Sequence, residues 1–261
     1  MDESAVLTKL ESTREAFRSD VLAELLLGMV SGAEKAVLVK GLVFRLAMAA
    51  KDGEIAGIMA NAVSQKLSET SDYPRILTLC RSTIIISENL QMMTELAIAE
   101  KQTGNPQKAL ELHQKVLELC TEQDNTPLKA VTLHQMAMIY EIKGQVEQAI
   151  DLYQQSLAIY EQIGNVKGKA ATLRNMAGIY ANQGQVEQAI DLYQQSLAIH
   201  EQIGNVQGKS ANLAMMGQLV AIANLNVEQG LIYLKEAREI YLHLKSPSAQ
   251  VMQEIIGRIE R

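Results

Sequence analysis

The chain has 261 residues, a net charge of -6 and only 4 prolines. With 48% of its residues apolar it can bury a substantial core, which excludes a disordered chain. Its acidic balance (pI near 5.4) and lack of any Lys/Arg run argue against a phosphate-binding surface as its main business.

In chain order, the opening "MDESAV" has no basic stretch leading into an apolar core, so no secretory signal is expected. The most apolar stretch, Ala36–Ala50, carries Lys40 and Arg45 and falls short of the ~20 residues a membrane-spanning helix needs. It reads as a buried helix. Residues 1–88 read as helices broken near Gly32, at Asp52-Gly53 and at Tyr73-Pro74, with no repeat register. They are expected to form a separate N-terminal helical region, either degenerate repeats or a small bundle. Cys80 and Cys120 show neither a pairing pattern nor metal-ligand spacing, so two buried, reduced thiols in a cytoplasmic protein are expected.

From residue 89 onward the chain repeats itself. "GQVEQAIDLYQQSLAIYEQIGNVKGK" (Gly144–Lys169) returns at Gly184–Lys209 with only Tyr160 changed to His200 and Lys167 to Gln207. Looser copies begin at Leu90 and Ser210, the latter with one residue inserted near Leu225. A fixed period of this size means stacked supersecondary units. Each unit is a helix, a turn at Gly144 or Gly184, and a second helix. Leu173, Met176, Ala177 and Tyr180 share one helical face, as do Ala189, Tyr193, Ser196 and Leu197. The second helix stops at "IGNV", where Gly164 and Gly204 supply the left-handed residue that ends many helices. Ser246 is placed as N-cap and Pro247 as first residue of a closing helix.

The pattern Leu-x2-Met-Ala-x2-Tyr-x3-Gly-x-Val-x2-Ala-x3-Tyr-x2-Ser-Leu resembles the tetratricopeptide repeat, most closely the longer-repeat variety of kinesin light chains. The resemblance runs from about Asn89 to Arg261 and is strongest in the two middle units; Glu100, His113, Val220, Gly230 and Leu234 depart from it. It implies an all-α solenoid of stacked antiparallel helix pairs, a TPR-like right-handed superhelix. About four units plus a C-terminal capping helix would span 89–261. It also implies that the near-identical second helices form the outer face. The diversified first helices would then line a concave groove.

No catalytic set stands out. His113, His134, His200 and His243 have no second histidine at ligand spacing. "GNVQGKS" (Gly204–Ser210) has three residues between its glycines where a P-loop needs four, and a helix precedes it. Glu147, Asp151, Glu187 and Asp191 recur on the outer helices and read as a solvated surface. Most methionines read as core, with Met138 and Met215 on the groove side.

Carried over from the resemblance, the candidate groove residues are His134, Gln135, Met138, Arg174, Asn175, Asn182, Met215 and Gln218, with Glu141, Gly178, Ala181, Ala214 and Ile222 near them. Asn175 is expected to pair with both the N–H and the C=O of a bound backbone. Arg174 would offer a carboxylate-matching fork. No cofactor, metal, nucleic acid or membrane is expected. The occupant expected is a protein or peptide segment with an apolar face: a partner's, a second copy's in a homo-oligomer, or the chain's own N-terminal helices. The expected function is a non-catalytic adaptor. A regulatory peptide sensor with an N-terminal output region is the first rival, although residues 1–65 hold 9 acidic and 7 basic side chains, a poor balance for DNA binding. An enzyme with its site near Cys80 is the second.

Overall fold

Gly104, Gly144, Gly164, Gly184 and Gly204 all have positive φ, and each ends a helix that the next one then reverses. At the equivalent turns Asp124 and Lys245 adopt the same left-handed conformation without glycine. The computed structural model describes residue 47 and residues 53–86, 89–223 and 226–261. Their helices are α1 (Gly53–Glu69), α2 (Tyr73–Ile86), α3 (Leu90–Gln102), α4 (Pro106–Glu122), α5 (Thr126–Ile142), α6 (Val146–Gln162), α7 (Val166–Asn182), α8 (Val186–Gln202), α9 (Val206–Ile222), α10 (Val227–His243) and α11 (Ser248–Ile259). Among the described residues there is no strand. This is the expected all-α solenoid architecture of stacked antiparallel helix pairs. The break expected at Tyr73-Pro74 is where α2 begins; α1 is described from Gly53 onward, and the break at Gly32 lies outside the described residues, as do Asp52 and the insertion at Leu225.

The chain divides into two compact units between Leu128 and Lys129. In the first, α1 and α2 pack together and against α3, which pairs with α4. Its core holds Ile76, Cys80, Met92 and Leu96 in one cluster and Leu90, Met93, Val116 and Cys120 in another. Both cysteines are free and buried, and burial pushes the Cys80 thiol up to about 12.

In the second unit, small residues set the spacing within each helix pair. Ala137 faces Ala149, and Ala177 faces Ala189, with Tyr153 and Tyr193 wholly buried beside them. Ser156 donates to the Ala130 carbonyl at 2.8 Å and Ser196 to Ala170 at 2.7 Å, which ties each second helix to its first. The repeated carboxylates Glu147, Asp151, Glu187 and Asp191 are exposed, as expected.

The duplicated "EQIGNVxGK" string is a splice between pairs. Asn165 and Asn205 cap α7 and α9 by accepting from Gly168 N–H at 2.9 Å and Gly208 N–H at 3.0 Å. Lys169 reaches back to Glu161 at 2.8 Å; Lys209 reaches Glu201 at 3.0 Å and Glu236 at 2.8 Å. The ring of Tyr160 lies where a Gly168 side chain would stand, and that of His200 where one from Gly208 would stand. That is why "GNVQGKS" keeps its second glycine: it seats a ring, not a phosphate. Asn205→Ala is expected to cost about 1 kcal/mol, a fall in Tm of about 3 °C by thermal melting; an unchanged Tm would deny the cap.

The closing helix departs by one residue from expectation. It starts at Ser248, Pro247 sits before it in the cap position, and Ser246 Oγ accepts from Ser248 N–H at 3.3 Å. Counted from Ser246 that N–H is two residues on, the donor a capping side chain accepts from, so the serine still supplies the capping oxygen and the proline between them forfeits no bond.

Candidate functional site

In "TLRNMAGIY" Leu173, Met176, Ala177 and Ile179 are buried, which turns Arg174, Asn175 and Gly178 onto the half-buried flank of α7. In α9 the burial of Leu213, Met216, Gly217 and Val220 does the same for Met215 and Gln218. These two flanks, with α10 and α11, enclose a groove of about 440 Å³. Sites of about 300–1,000 Å³ are usual for small ligands.

Arg174, Asn175, Met215 and Gln218 of the predicted set line the groove, with Glu141, Gly178 and Ala214. The other four do not. His134, Gln135 and Met138 are half-buried on α5, Met138 packing against the core around Tyr153. Asn182 is exposed at the end of α7. The groove wall adds residues that were not among the candidates: Tyr193, which was placed on a packing face, and Ala211, Tyr241, Ser248, Val251 and Met252. Three of these belong to α11, so the helix that ends the array also walls its groove. Met215, at 46% exposure, and Val251, at 51%, are the apolar side chains left most open there.

Beneath the groove floor runs a polar chain. Tyr153 OH donates to Glu141 Oε2 at 3.0 Å, and Asn175 Nδ2 donates to Tyr153 OH at 3.3 Å. Asn175 Nδ2 also lies 3.3 Å from His134 Nε2, while His134 Nδ1 lies 2.9 Å from Thr172 Oγ1. The rings of His134 and Tyr153 meet edge to face, centroids 5.3 Å apart. Burial raises the Glu141 carboxyl above its ordinary range, and the Tyr153 bond partly offsets this. Burial likewise raises both tyrosines: Tyr193 to about 12, and Tyr153, which the Glu141 charge raises further, higher still.

Arg174 is different. Its charge is felt at Tyr153, Tyr193 and His200, yet among the described residues its guanidinium has no hydrogen-bond or ion-pair partner. The groove therefore has one cation unmatched among the described residues, a carboxylate in Glu141, amides in Asn175 and Gln218, and an apolar wall of Ala211, Ala214, Met215, Val251 and Met252. No group of three or more His, Cys, Asp or Glu that could hold a metal occurs among the described residues, and no described helix is long and apolar enough to cross a membrane.

Two family models, both described as tetratricopeptide repeat, match residues 88–162 and 170–203. No curated protein matches the chain in sequence. Among solved structures, the chain is similar to BtubC (BKLC) from P. vanneervenii, at 16% identity over 83% of this chain and 93% of that one, with a TM-score of 0.68. A putative kinesin light chain from Podospora anserina with nearly identical TPR-like repeats matches at 20% identity over 71% of this chain and 94% of its own, TM-score 0.54. The apo form of the quorum sensor NprR from B. thuringiensis matches at 12% identity over 97% of this chain and 74% of that one, TM-score 0.67. At such identities the likeness is one of fold.

Proposed function

The chain is a tetratricopeptide-repeat protein, and we propose that it is a non-catalytic, cytoplasmic adaptor that grips a protein or peptide segment in the groove between α7, α9 and α11. The observation that carries this is the Arg174 guanidinium, set beside an apolar wall without a partner among the described residues. A half-buried, unmatched cation is costly to keep unless something supplies its counter-charge. The occupant that fits has a carboxylate for Arg174 and an apolar side chain for the surface of Met215, Val251 and Met252.

The test is to pan a random-peptide library on the full chain and measure the affinity of selected peptides for wild type and Arg174→Ala. Loss of a partly desolvated charge pair is worth ~2–5 kcal/mol, so at least a roughly 30-fold weakening is expected, with helicity unchanged by circular dichroism. Peptides bound equally well by both proteins would end this reading.

The regulatory-sensor reading uses the same groove and differs in requiring an output region ahead of the repeats. Its likeness to the quorum sensor NprR is one of fold, so the adaptor reading is preferred.

A further inference from the structure

We infer that Asn175 shows the groove only its carbonyl oxygen, so that a bound segment must offer it an N–H donor, and that Thr172, His134 and Tyr153 are the positioning residues that fix this polarity. The inference rests on the groove reading above and sharpens it, because it states which backbone group the occupant turns toward α7.

The polarity follows from donor bookkeeping along the buried chain. The Thr172 hydroxyl donates to the Gly168 carbonyl at 3.0 Å, so toward His134 it can only accept. The proton on the short contact of 2.9 Å therefore sits on His134 Nδ1. A neutral imidazole protonated at Nδ1 has a bare Nε2, and that lone pair faces Asn175 Nδ2 at 3.3 Å. On the other side, the Tyr153 hydroxyl donates its hydrogen to Glu141 and can only accept from Asn175. Two acceptors thus converge on one amide. Its nitrogen has two hydrogens, and both are spent. Reversing the amide would set Oδ1 against two lone pairs in a half-buried site, at the cost of two hydrogen bonds and two repulsions.

Among the described residues Oδ1 is the part of Asn175 that has no hydrogen-bond partner, and Asn175 lines the groove between Arg174 and Gly178. The two-sided backbone hook expected from the sequence is thereby reduced to one side. The groove wall presents a donor at Arg174 and acceptors at Asn175 and Glu141. A segment whose carboxylate pairs with Arg174 must have a free amide N–H within reach, and proline or an N-methylated residue at that place is rejected.

Two measurements decide this. The first needs no ligand. Two-bond 1H–15N correlation on the full chain with labelled histidine, near neutral pH, is expected to show His134 as the Nδ1–H tautomer, its signals assigned by their loss in His134→Gln. An Nε2–H tautomer or an imidazolium there overturns the inference. The second uses the peptides selected by panning. Thr172→Val keeps the shape but removes the hydroxyl that holds the Nδ1 proton. It should shift His134 to Nε2–H, turn the amide over and weaken the peptides about tenfold, a hydrogen bond's worth. Thr172→Ser should restore both tautomer and affinity. N-methylation at a single backbone position should cost the wild-type complex a similar factor. A switched tautomer with unchanged affinity, or an N-methyl scan with no sensitive position, overturns the ligand half of the inference. A library that yields no Arg174-dependent peptide defeats the groove reading instead, and the tautomer still reports the amide's orientation independently.

Discussion

Replacing Gly230 by valine is expected to destabilise the second unit by about 3 kcal/mol and lower its Tm by roughly 10 °C. The last helix pair, α9 and α10, crosses where Gly217 and Gly230 stand in place of the alanines of earlier pairs. A Cβ on Gly230 would lie 2.8 Å from both the Gly217 carbonyl oxygen and the Ala221 Cβ; one on Gly217 would lie 2.9 Å from the Gly230 carbonyl oxygen. Most of these obstructing atoms are backbone, which cannot step aside by rotating a side chain. Glycine in a helix interior costs about 1 kcal/mol relative to alanine, so two such residues at one crossing indicate that close approach outweighs propensity there. Gly257 in α11 is the control, because a Cβ there meets no heavy atom within 4 Å. Gly257→Ala should raise stability by about 0.5–1 kcal/mol. Thermal melts that show Gly230→Val unchanged would mean the two helices separate at little cost. The crossing also bears on the groove, since α9 provides Met215 and Gln218 and α10 provides Tyr241.

The period explains how far the sequence could be read. Forty residues separate Tyr153 from Tyr193, Ser156 from Ser196 and Asn165 from Asn205, and each pair repeats one structural role. A role performed twice leaves a trace in the string. The groove was legible only where it follows the same arithmetic: Arg174, Asn175, Met215 and Gln218 are inner-face positions of successive first helices. Roles performed once leave no such trace. Val251 and Met252 sit on α11, which belongs to no repeat, and nothing in "SAQVMQEIIGRI" says that one side of the cap faces a groove. His134 was expected in the groove because it occupies the position of Arg174. It instead turns to Thr172 and Asn175, 38 and 41 residues on, and becomes a support beneath the floor. The side chain's chemistry decided that, since an imidazole has two ring nitrogens to satisfy when half-buried and a guanidinium can extend past the rim. No repeat register was read in the stretch that forms α1 and α2, and their packing onto α3 was accordingly not legible.

Acid is expected to weaken the first unit through His113, the residue that stands where later units have Tyr153 and Tyr193. The imidazole is wholly buried and neither ring nitrogen has a hydrogen-bond partner among the described residues. Burial first, and the nearby Lys101 charge second, push its pKa down to about 4. The unfolded chain takes up a proton there near pH 6.5, the folded chain only near pH 4, so the unfolded state binds more protons in between. Stability is therefore complete above about pH 7 and falls as pH drops through 6.5, losing about 3 kcal/mol by pH 4. Replacing His113 by phenylalanine keeps a ring in the cavity and removes both unsatisfied nitrogens. His113→Phe should be more stable by about 1–2 kcal/mol at neutral pH and should lose the part of the acid slope between about pH 6.5 and 5. Denaturant titrations of both proteins across that window measure the difference directly; parallel slopes would show that His113 does not govern the acid response and that another group takes up the proton.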